Sequence, residues 1–496
     1  MKILAKIVGW FVTVAVIAAA SVVAIFFAGG HDPTSACGSY DADLRYNLPE
    51  VADEDNAFIT FIEAFSNLYT VAYDYNTNSV PVVELLKNPE PVEKTVSDSR
   101  FIEVYGRGVT NSSTFAEICT DPNSPSRADH ILADNQKFFS AIREVIRKKG
   151  WRNIWPPDVT MFSDMPRTPH NELLRTGRLY SLKIQRELEL EKWDAAADSI
   201  ETLFAFGGIS SANPDSIHCA LIGHAVKSFA LAKIYNCAMR EKFPKEKLGR
   251  FARLVAADNV KAGQGTEAIK AEYQALSHTV RTMSREKFIE RYDNALYAEN
   301  QIRYMFYGKT EPKWTDRVSR FFFHTLFRCP GYLDYALCRR TTLNNLAITA
   351  RMALNDELNE TALRDNRSSI FTRGGIGRNW VSGFANSLRF FNESSLGYRF
   401  CIIRNRLVLA AAKWRLDHDN AQLPSLEILV PNYIESVPQD PYSKNGGTLR
   451  YHSGTGVVWS VGKDGNFDFE KMLENGKCQI DSILLREAAF RLFSAP

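Results

Sequence analysis

The sequence lacks the motifs and charge patterns that identify several large functional classes of protein. It carries 60 basic and 57 acidic side chains, a net charge of only +3 over 496 residues, so no field of one sign favours a nucleic acid or another polyanion. The eight cysteines show no two-residue spacing typical of a zinc site. Gly-x-Ser-x-Gly, His-Glu-x-x-His and Walker sequences are all absent, which removes the commonest sequence signals for hydrolases, metalloproteases and NTPases.

The chain also contains only one long apolar run. Residues 7–28 contain no charged side chain and follow Lys2 and Lys6. A helix over this run would span about 33 Å, which matches a hydrocarbon core of about 30 Å. Since lysines on the amino-terminal side favour a cytoplasmic start, the pattern predicts a single-pass anchor with the rest of the chain outside the cytoplasm.

A cleaved signal peptide is the alternative interpretation of the same run. Signal peptidase requires small residues at the first and third positions before the cut, and a cut after Ala28 would place Phe26 in the outer of these positions. The run is also long for a signal peptide. The sequence therefore favours a retained anchor over residues 1–30.

Helical periodicity dominates from residue 53 to about residue 420. An acidic start at Asp53 to Asp55 precedes an apolar stripe from Phe58 to Ala72, which predicts a core-facing helix. Residues 76–128 are rich in Asn, Pro, Ser and Thr and predict an irregular connection. Further helices are expected over 129–149, 173–190, 195–206, 266–307, 333–358 and 396–417, with two more beginning at Asn213-Pro214 and at Pro244.

Between residues 171 and 257 these helices come as hairpins. Trp193-Asp194-Ala195-Ala196-Ala197 is similar to the joint of a tetratricopeptide hairpin, with the turn placed at 192–194. No fixed period repeats across three units. The region therefore predicts a helical-hairpin array rather than a regular solenoid.

After residue 420 the pattern changes to short β-like segments punctuated by turns, and here the chain resembles the globular part of type II secretion major pseudopilins over residues 399–468. The resemblance rests on several motifs in the family's order: Lys413-Trp414-Arg415-Leu416-Asp417-His418-Asp419, Leu423-Pro424-Ser425-Leu426, Leu429-Val430-Pro431-Asn432-Tyr433-Ile434, Pro438-Gln439-Asp440-Pro441-Tyr442, Leu449-Arg450-Tyr451 and Trp459-Ser460-Val461-Gly462-Lys463-Asp464-Gly465. The prolines exclude helix, and residues 448–451 and 457–461 read as two antiparallel strands joined by the turn at 453–456.

Pseudopilins bind calcium in the loop after the last of these strands. The resemblance implies that Asp464 and Asp468 are carboxylate ligands of calcium, and oxygen ligands from a loop suit this hard cation. The alternative is structural, because Asp464-Gly465 is also an ordinary turn pair.

Two cysteine pairs have different prospects of forming disulfides. Cys219 and Cys237 lie on one expected helix, about 27 Å apart along its axis, so they cannot be bridged. Cys329 and Cys338 flank Pro330-Gly331 and are the best placed to pair, although free buried thiols fit equally well.

One glutamate carries the enzymatic alternative. Glu393-Ser394-Ser395-Leu396 resembles the catalytic Glu-Ser of lytic transglycosylases, in which a buried glutamate protonates a glycosidic oxygen. The structural alternative makes Glu393 and Ser394 the start of a helix that continues from Leu396.

The sequence thus predicts a mainly α protein of the bacterial envelope, anchored in the inner membrane, with its bulk in the periplasm. Its expected role is to bind protein partners or to act as a scaffold, without nucleic acid or a cofactor; a cell-wall glycan hydrolase with Glu393 as general acid is the alternative. The expected domains are an anchor at 1–30, an N-terminal helix and irregular connection at 31–128, a helical-hairpin body at 129–395, a small α+β pseudopilin-like module at 396–470 and an amphipathic helix at 471–496.

Overall fold

The structure is a computed structural model of the full chain. It describes residues 42–47, 49–72, 128–129, 132–133, 135–153, 167–258, 263–282, 333–355, 376–443, 445–462, 465, 467–474 and 489–493. The predicted apolar helix over residues 7–28, Cys329 and Asp464 lie outside these residues.

The described part of the chain is mainly helical and carries a small antiparallel sheet near its end. The elements are α1 (Ala57–Ala72), α2 (Gln136–Val145), α3 (Arg167–Glu189), α4 (Trp193–Ser210), α5 (Ile217–Met239), α6 (Lys245–Ala257), α7 (Gly263–Thr282), α8 (Leu333–Leu354), α9 (Ile376–Asp417), β1 (Arg450–His452), β2 (Val457–Trp459), α10 (Phe469–Glu474) and β3 (Ala489–Arg491). Short 3-10 turns occupy Ala42–Leu44, Asp53–Asp55 and Glu427–Leu429.

The chain divides into two compact units. Unit 1 contains residues 1–47, 160–163 and 269–390, and unit 2 contains residues 48–159, 164–268 and 391–496. This division differs from the expected domains, because the predicted hairpin body at 129–395 contributes to both units and the predicted module at 396–470 is not a unit of its own.

Unit 1 is formed, among its described residues, by α8, most of α7 and the first part of α9. Leu346 and Ala350 of α8 are buried, as are Phe384 and Leu388 of α9. Arg351 forms a bidentate ion pair at the surface, with Nε and Nη2 each donating to a carboxylate oxygen of Asp43 at 2.8 Å.

Unit 2 has its core between α3, α4 and α5, the helices of the predicted hairpins. α3 and α4 are antiparallel neighbours because only Leu190 to Lys192 separate them, and Glu191 takes a positive φ of 53° at the turn. Ile184, Ile200 and Ile234 are fully buried in one hydrophobic core. This confirms the helical hairpins, whereas the tetratricopeptide resemblance itself stays a prediction.

The N-terminal helix of unit 2 begins differently from the prediction. Asp53–Asp55 form a 3-10 turn, and the capping oxygen belongs to Asn56, whose Oδ1 accepts from the backbone N–H of Phe58 at 3.1 Å. The same amide bonds both backbone groups of Arg152, at 2.9 and 3.0 Å. Asn56 is therefore favoured over the acids because it can donate as well as accept.

The carboxyl-terminal sheet has the order β1-β2-β3, with both pairs antiparallel. β1 and β2 confirm the predicted strands and turn. β3 corrects the expected amphipathic helix over 471–496 at its end: α10 covers Phe469–Glu474, but Ala489–Arg491 form a strand paired with β2. β2 is the central strand and its three apolar residues are all buried. Buried backbone N–H and C=O groups need hydrogen-bond partners on both edges of the strand, and β3 supplies those on the second edge.

The module also shares the core of the hairpins. Phe400, Leu407 and Trp414 of α9, Val458 of β2 and Phe490 of β3 belong to the same continuous cluster as the buried residues of α3 to α6. The described residues between 391 and 493 thus pack as part of unit 2, where the sequence predicted a separate module.

Three helix starts differ from the expected positions. α4 begins at Trp193, inside the predicted turn, and α5 begins after Ser216, whose Oγ accepts from the N–H of Cys219 at 3.2 Å. α9 begins at Ile376, twenty residues before the expected start at Leu396. Caps and burial decide such boundaries, and residue preferences alone do not.

α5 is long and apolar enough to cross a bilayer, and it was the one helix among the described residues to meet that description. Most of it is buried in the protein core, and Ala230, Leu231 and Ile234 are fully buried. Its apolar character is therefore accounted for by its central place in unit 2.

Candidate functional site

A buried polar cluster joins three elements of unit 2. Lys227 of α5 donates from Nζ to Oδ1 of Asp258 at 2.7 Å, and the hydroxyl of Tyr398 on α9 donates to Oδ2 of the same carboxylate at 2.5 Å. Lys227 and Tyr398 are each only 3% exposed. Asp258 follows α6 directly, so its carboxylate connects the end of α6 to both α5 and α9. We call Lys227, Asp258, Tyr398 and His224 the polar cluster.

His224 completes the polar cluster through its ring. It lies one turn before Lys227 on α5 and stacks on Tyr398, with ring centroids 4.4 Å apart and an angle of 6° between the planes. Nδ1 of His224 is buried and has no hydrogen-bond partner among the described residues. Burial lowers the pKa of His224 to about 4, and the positive charge of Lys227 acts in the same direction, so the ring is neutral at physiological pH.

Two glycines bring α4 and α5 close enough to enclose Lys227. A Cβ at Gly207 would lie 2.8 Å from the backbone nitrogen of Lys227, and a Cβ at Gly223 would clash with Cβ of Ser211. The lysine stem is therefore pressed against α4, and Nζ lies 5.5 Å from the ring centroid of Phe204 and 5.9 Å from that of Tyr398. These rings stabilise the ammonium group electrostatically.

The charged and polar groups of Lys227, Asp258 and Tyr398 satisfy one another. Burial raises the pKa of Tyr398, and the negative charge and hydrogen bond of Asp258 raise it further, so the phenol stays protonated and acts as a donor. The ammonium of Lys227 neutralises the carboxylate. Because breaking a buried pair leaves an uncompensated charge, this arrangement holds α5, α6 and α9 in one relative position.

Glu393, the predicted general acid, lies inside α9 and is partly buried. It is preceded by seventeen helical residues, so the structural alternative, a helix start at Glu393 and Ser394, is wrong. The predicted catalytic role stays a prediction.

The calcium prediction concerns Asp464, outside the described residues, and Asp468. The Asp468 carboxylate lies immediately before α10, with Oδ2 3.6 Å from Nη1 of Arg450 and 3.7 Å from Nζ of Lys471. Within the described ranges no group of three or more His, Cys, Asp or Glu side chains is arranged to hold a metal. The described surroundings of Asp468 supply two cations and a helix N-terminus, and the calcium site stays a prediction.

Asp440 is a buried carboxylate to which the sequence analysis gave no role. Oδ1 accepts from Oγ of Ser460 at 2.7 Å and from the N–H of Tyr442 at 2.9 Å, while Oδ2 accepts from the N–H of Val461 at 2.8 Å. The signal was present in Pro438-Gln439-Asp440-Pro441-Tyr442, because an aspartate in a turn commonly accepts from the backbone N–H two residues later, as Asp440 does from Tyr442. Asp440 ties this turn to the end of β2.

A second buried cluster surrounds the start of α5. The thiol of Cys219 donates to Oδ1 of Asp215 at 2.8 Å and accepts from Ser216 and Asn153 at 3.2 Å each. Burial, followed by the charge of Asp215, raises the pKa of Cys219 well above its usual value, so the thiol is protonated and unsuited to nucleophilic attack. Cys219 and Cys237 are both free, which confirms that they are not bridged.

The sequence analysis missed the polar cluster because its members are far apart in the chain. Lys227 and Asp258 are separated by 31 residues, and Asp258 and Tyr398 by 140. The available signal was Lys227 itself, a lysine among the apolar residues of α5, since buried lysines are almost always paired. Comparison with known proteins adds no further constraint: no family model, curated protein or solved structure matches this chain.

Proposed function

We propose that this protein is a membrane-anchored protein of the bacterial envelope whose helical body binds protein partners or serves as a scaffold, with the apolar run at 7–28 as its anchor. The observation that carries the proposal is the main core of unit 2, in which one face of the carboxyl-terminal sheet joins the hydrophobic cluster of the hairpin helices. A body of this kind presents helix surfaces in fixed positions, as a binding protein requires.

The buried titratable groups support the same role. Lys227, Asp258 and Tyr398 bond one another, and Asp440 bonds Ser460 and two backbone N–H groups. Buried groups that bond one another in this way stabilise the fold, whereas a general acid or base must be within reach of its substrate.

The anchor is tested by fractionation and protease protection of the full chain expressed in a Gram-negative bacterium. We expect the protein to remain in membranes after alkaline carbonate extraction, and to be cleaved by added protease in spheroplasts but not in intact cells. A variant with Ile17→Asp and Val22→Asp should lose membrane retention, whereas Ile17→Leu with Val22→Leu should keep it. Mature chain recovered free in the periplasm without its leader would contradict the proposal.

The hydrolase alternative is tested separately. We expect the purified full chain and its Glu393→Gln variant to release no more muropeptides from isolated cell wall than buffer does. Release that the wild type catalyses and the variant does not would replace the binding role with glycan hydrolysis.

A further inference from the structure

The carboxyl-terminal half of α9 is strongly basic. From Arg399 to Leu416 the helix carries five basic residues and no acidic one: Arg399, Arg404, Arg406, Lys413 and Arg415. This differs from the near balance of the whole chain, in which 60 basic residues meet 57 acidic ones.

Three of these residues form one line along the helix. Arg399, Arg406 and Lys413 are spaced by seven residues, and positions seven apart on an α-helix differ by only about 20° in direction and about 10 Å in height. Arg399 and Lys413 are exposed and Arg406 is partly buried, while the adjacent positions Tyr398 and Trp414 are buried. The line is therefore a solvent-facing edge of a helix whose opposite side is buried, and we call it the basic line.

The other two arginines face away from the basic line and have partners of their own. The guanidinium of Arg404 lies 4.9 Å from the ring centroid of Tyr235, and that of Arg415 lies 5.0 Å from the ring centroid of Phe493. Stacking of this kind accounts for both arginines within unit 2.

In their described surroundings, the residues of the basic line differ from the basic residues of the hairpin helices in their lack of ion pairs. There, Arg186 pairs with Asp129, Lys247 with Asp194, and Arg250 with Asp198 and Glu201. In the part of the chain that the structure describes, Arg399, Arg406 and Lys413 have no carboxylate partner. Arg406 donates to the carbonyl of Val255 at 3.5 Å, and Nζ of Lys413 lies 5.6 Å above the ring of Tyr433.

An acidic residue ends the line. Asp417 lies eighteen residues after Arg399, which is five full turns, and therefore points in the same direction. Its Oδ2 accepts from the hydroxyl of Tyr433 at 2.7 Å. The edge thus presents three positive charges followed by one negative charge, an order that an evenly anionic lipid surface does not complement and that a polypeptide can.

We propose that the basic line binds an acidic helical segment of a protein partner, one with Asp or Glu at every seventh position and a basic residue opposite Asp417. Such a segment repeats its carboxylates at the same interval of about 10 Å, and helices that cross at a shallow angle keep this register over about four turns. The inference rests on the proposed binding role and names the chemistry of the partner. Because these charges would lie at the solvent-exposed rim of the interface, they contribute chiefly to the rate and specificity of association, and salt weakens their attraction.

The test uses the purified full chain in phosphatidylcholine nanodiscs and a fluorescent alanine-based helical peptide with Glu at positions i, i+7 and i+14 and Lys at i+18. Fluorescence anisotropy should show binding that weakens as salt is raised from 0.02 to about 0.15 M. We expect the variant Arg399→Gln/Arg406→Gln/Lys413→Gln to bind at least tenfold more weakly. The matched control is Arg147→Gln/Lys149→Gln/Lys242→Gln, which removes three equally charged side chains that are 70%, 80% and 81% exposed and should bind like the wild type.

Three results would overturn the inference: equal weakening by the two triple variants, no binding by the wild type, or equal binding of a peptide whose three Glu residues are spaced by five. Preferential binding to nanodiscs with 30% phosphatidylglycerol that depends on the same three residues would assign the line to lipid instead. Fractionation tests the proposed location and the peptide titration tests the basic line, so failure of one is distinguishable from failure of the other.

Discussion

One carboxylate, that of Asp258, connects three helices of unit 2. It accepts hydrogen bonds from the ammonium of Lys227 and the hydroxyl of Tyr398, and both of these side chains are almost completely buried. Hydrogen bonds to a charged, buried group contribute more than neutral ones, because the low-dielectric surroundings strengthen them and leave no water to replace a lost donor.

Removing the Tyr398 hydroxyl should therefore destabilise the protein. We expect Tyr398→Phe to lower the free energy of unfolding by about 1.5 to 3 kcal/mol, measured by urea denaturation. Tyr433→Phe removes a similar bond to Asp417 at the surface and should cost less than about 1 kcal/mol. Equal losses in the two variants would show that burial of the Asp258 carboxylate does not matter.

His224 should make stability depend on pH. Its folded pKa of about 4 lies below the ordinary value of 6.5, so between these values the unfolded chain binds more protons and stability falls as the pH falls. The loss should amount to about 3 kcal/mol between pH 6.5 and pH 4. Lys227 and Arg399 oppose protonation of the ring and Asp258 favours it.

The variant His224→Phe keeps a ring against Tyr398 and should reduce this pH dependence, measured as the free energy of unfolding at several pH values. His218, whose pKa burial also lowers, remains in both proteins, so the difference between the two curves isolates His224. Parallel curves would contradict the assignment.

At the scale of elements, α4 and α5 are held together by small residues. Gly207 and Gly223 face each other where the helices cross, and a Cβ at Gly207 would also lie 2.9 Å from the carbonyl oxygen of Gly223. The neighbouring Gly208 has only Cε of Lys227 nearby, at 3.6 Å, which is an ordinary van der Waals distance. A methyl group therefore fits at Gly208, whereas at Gly207 it would press on backbone atoms of α5.

Adding one methyl group should accordingly have opposite effects at neighbouring positions. We expect Gly207→Ala to lower the free energy of unfolding by about 1 to 3 kcal/mol through overpacking. Gly208→Ala should leave it unchanged or raise it by up to about 1 kcal/mol, because alanine favours helix. Thermal and urea denaturation of both variants decide the matter, and a stable Gly207→Ala protein would mean that the crossing is looser than described.

On the scale of the whole unit, the carboxyl-terminal sheet unfolds with the hairpins if they share one core. Phe490 of β3 is 3% exposed and lies edge-on to Phe400 of α9, with ring centroids 5.6 Å apart. The sheet therefore has its hydrophobic partner in α9, and its three strands, each only three residues long, depend on packing against this helix.

Truncation of Phe490 should weaken all of unit 2 together. We expect Phe490→Ala to lower the free energy of unfolding by about 3 to 5 kcal/mol, with hydrogen exchange accelerated in α4 and α5 as well as in β1 and β2. Leu416→Ala, at a side chain that is 46% exposed, should change it by less than about 0.5 kcal/mol. Faster exchange confined to the sheet would contradict a shared core.

Local patterns in the sequence were sufficient for the hairpin helices, for β1 and β2 with the turn between them, and for the exclusion of a bridge between Cys219 and Cys237. Each of these depends on periodicity or spacing within about 25 residues, which a single segment determines through its own backbone geometry. The apolar run at 7–28 and the calcium and glutamate sites are predictions of the same local kind.

Tertiary structure alone decided the rest. β3 forms because the apolar strand β2 needs a second partner, α9 extends back to Ile376 although its sequence favours a later start, and Lys227, Asp258 and Tyr398 meet across 31 and 140 residues of chain. The physical reason is shared: a buried strand edge, ammonium or carboxylate is costly until some partner satisfies it, and only the folded chain determines which distant residue that partner is.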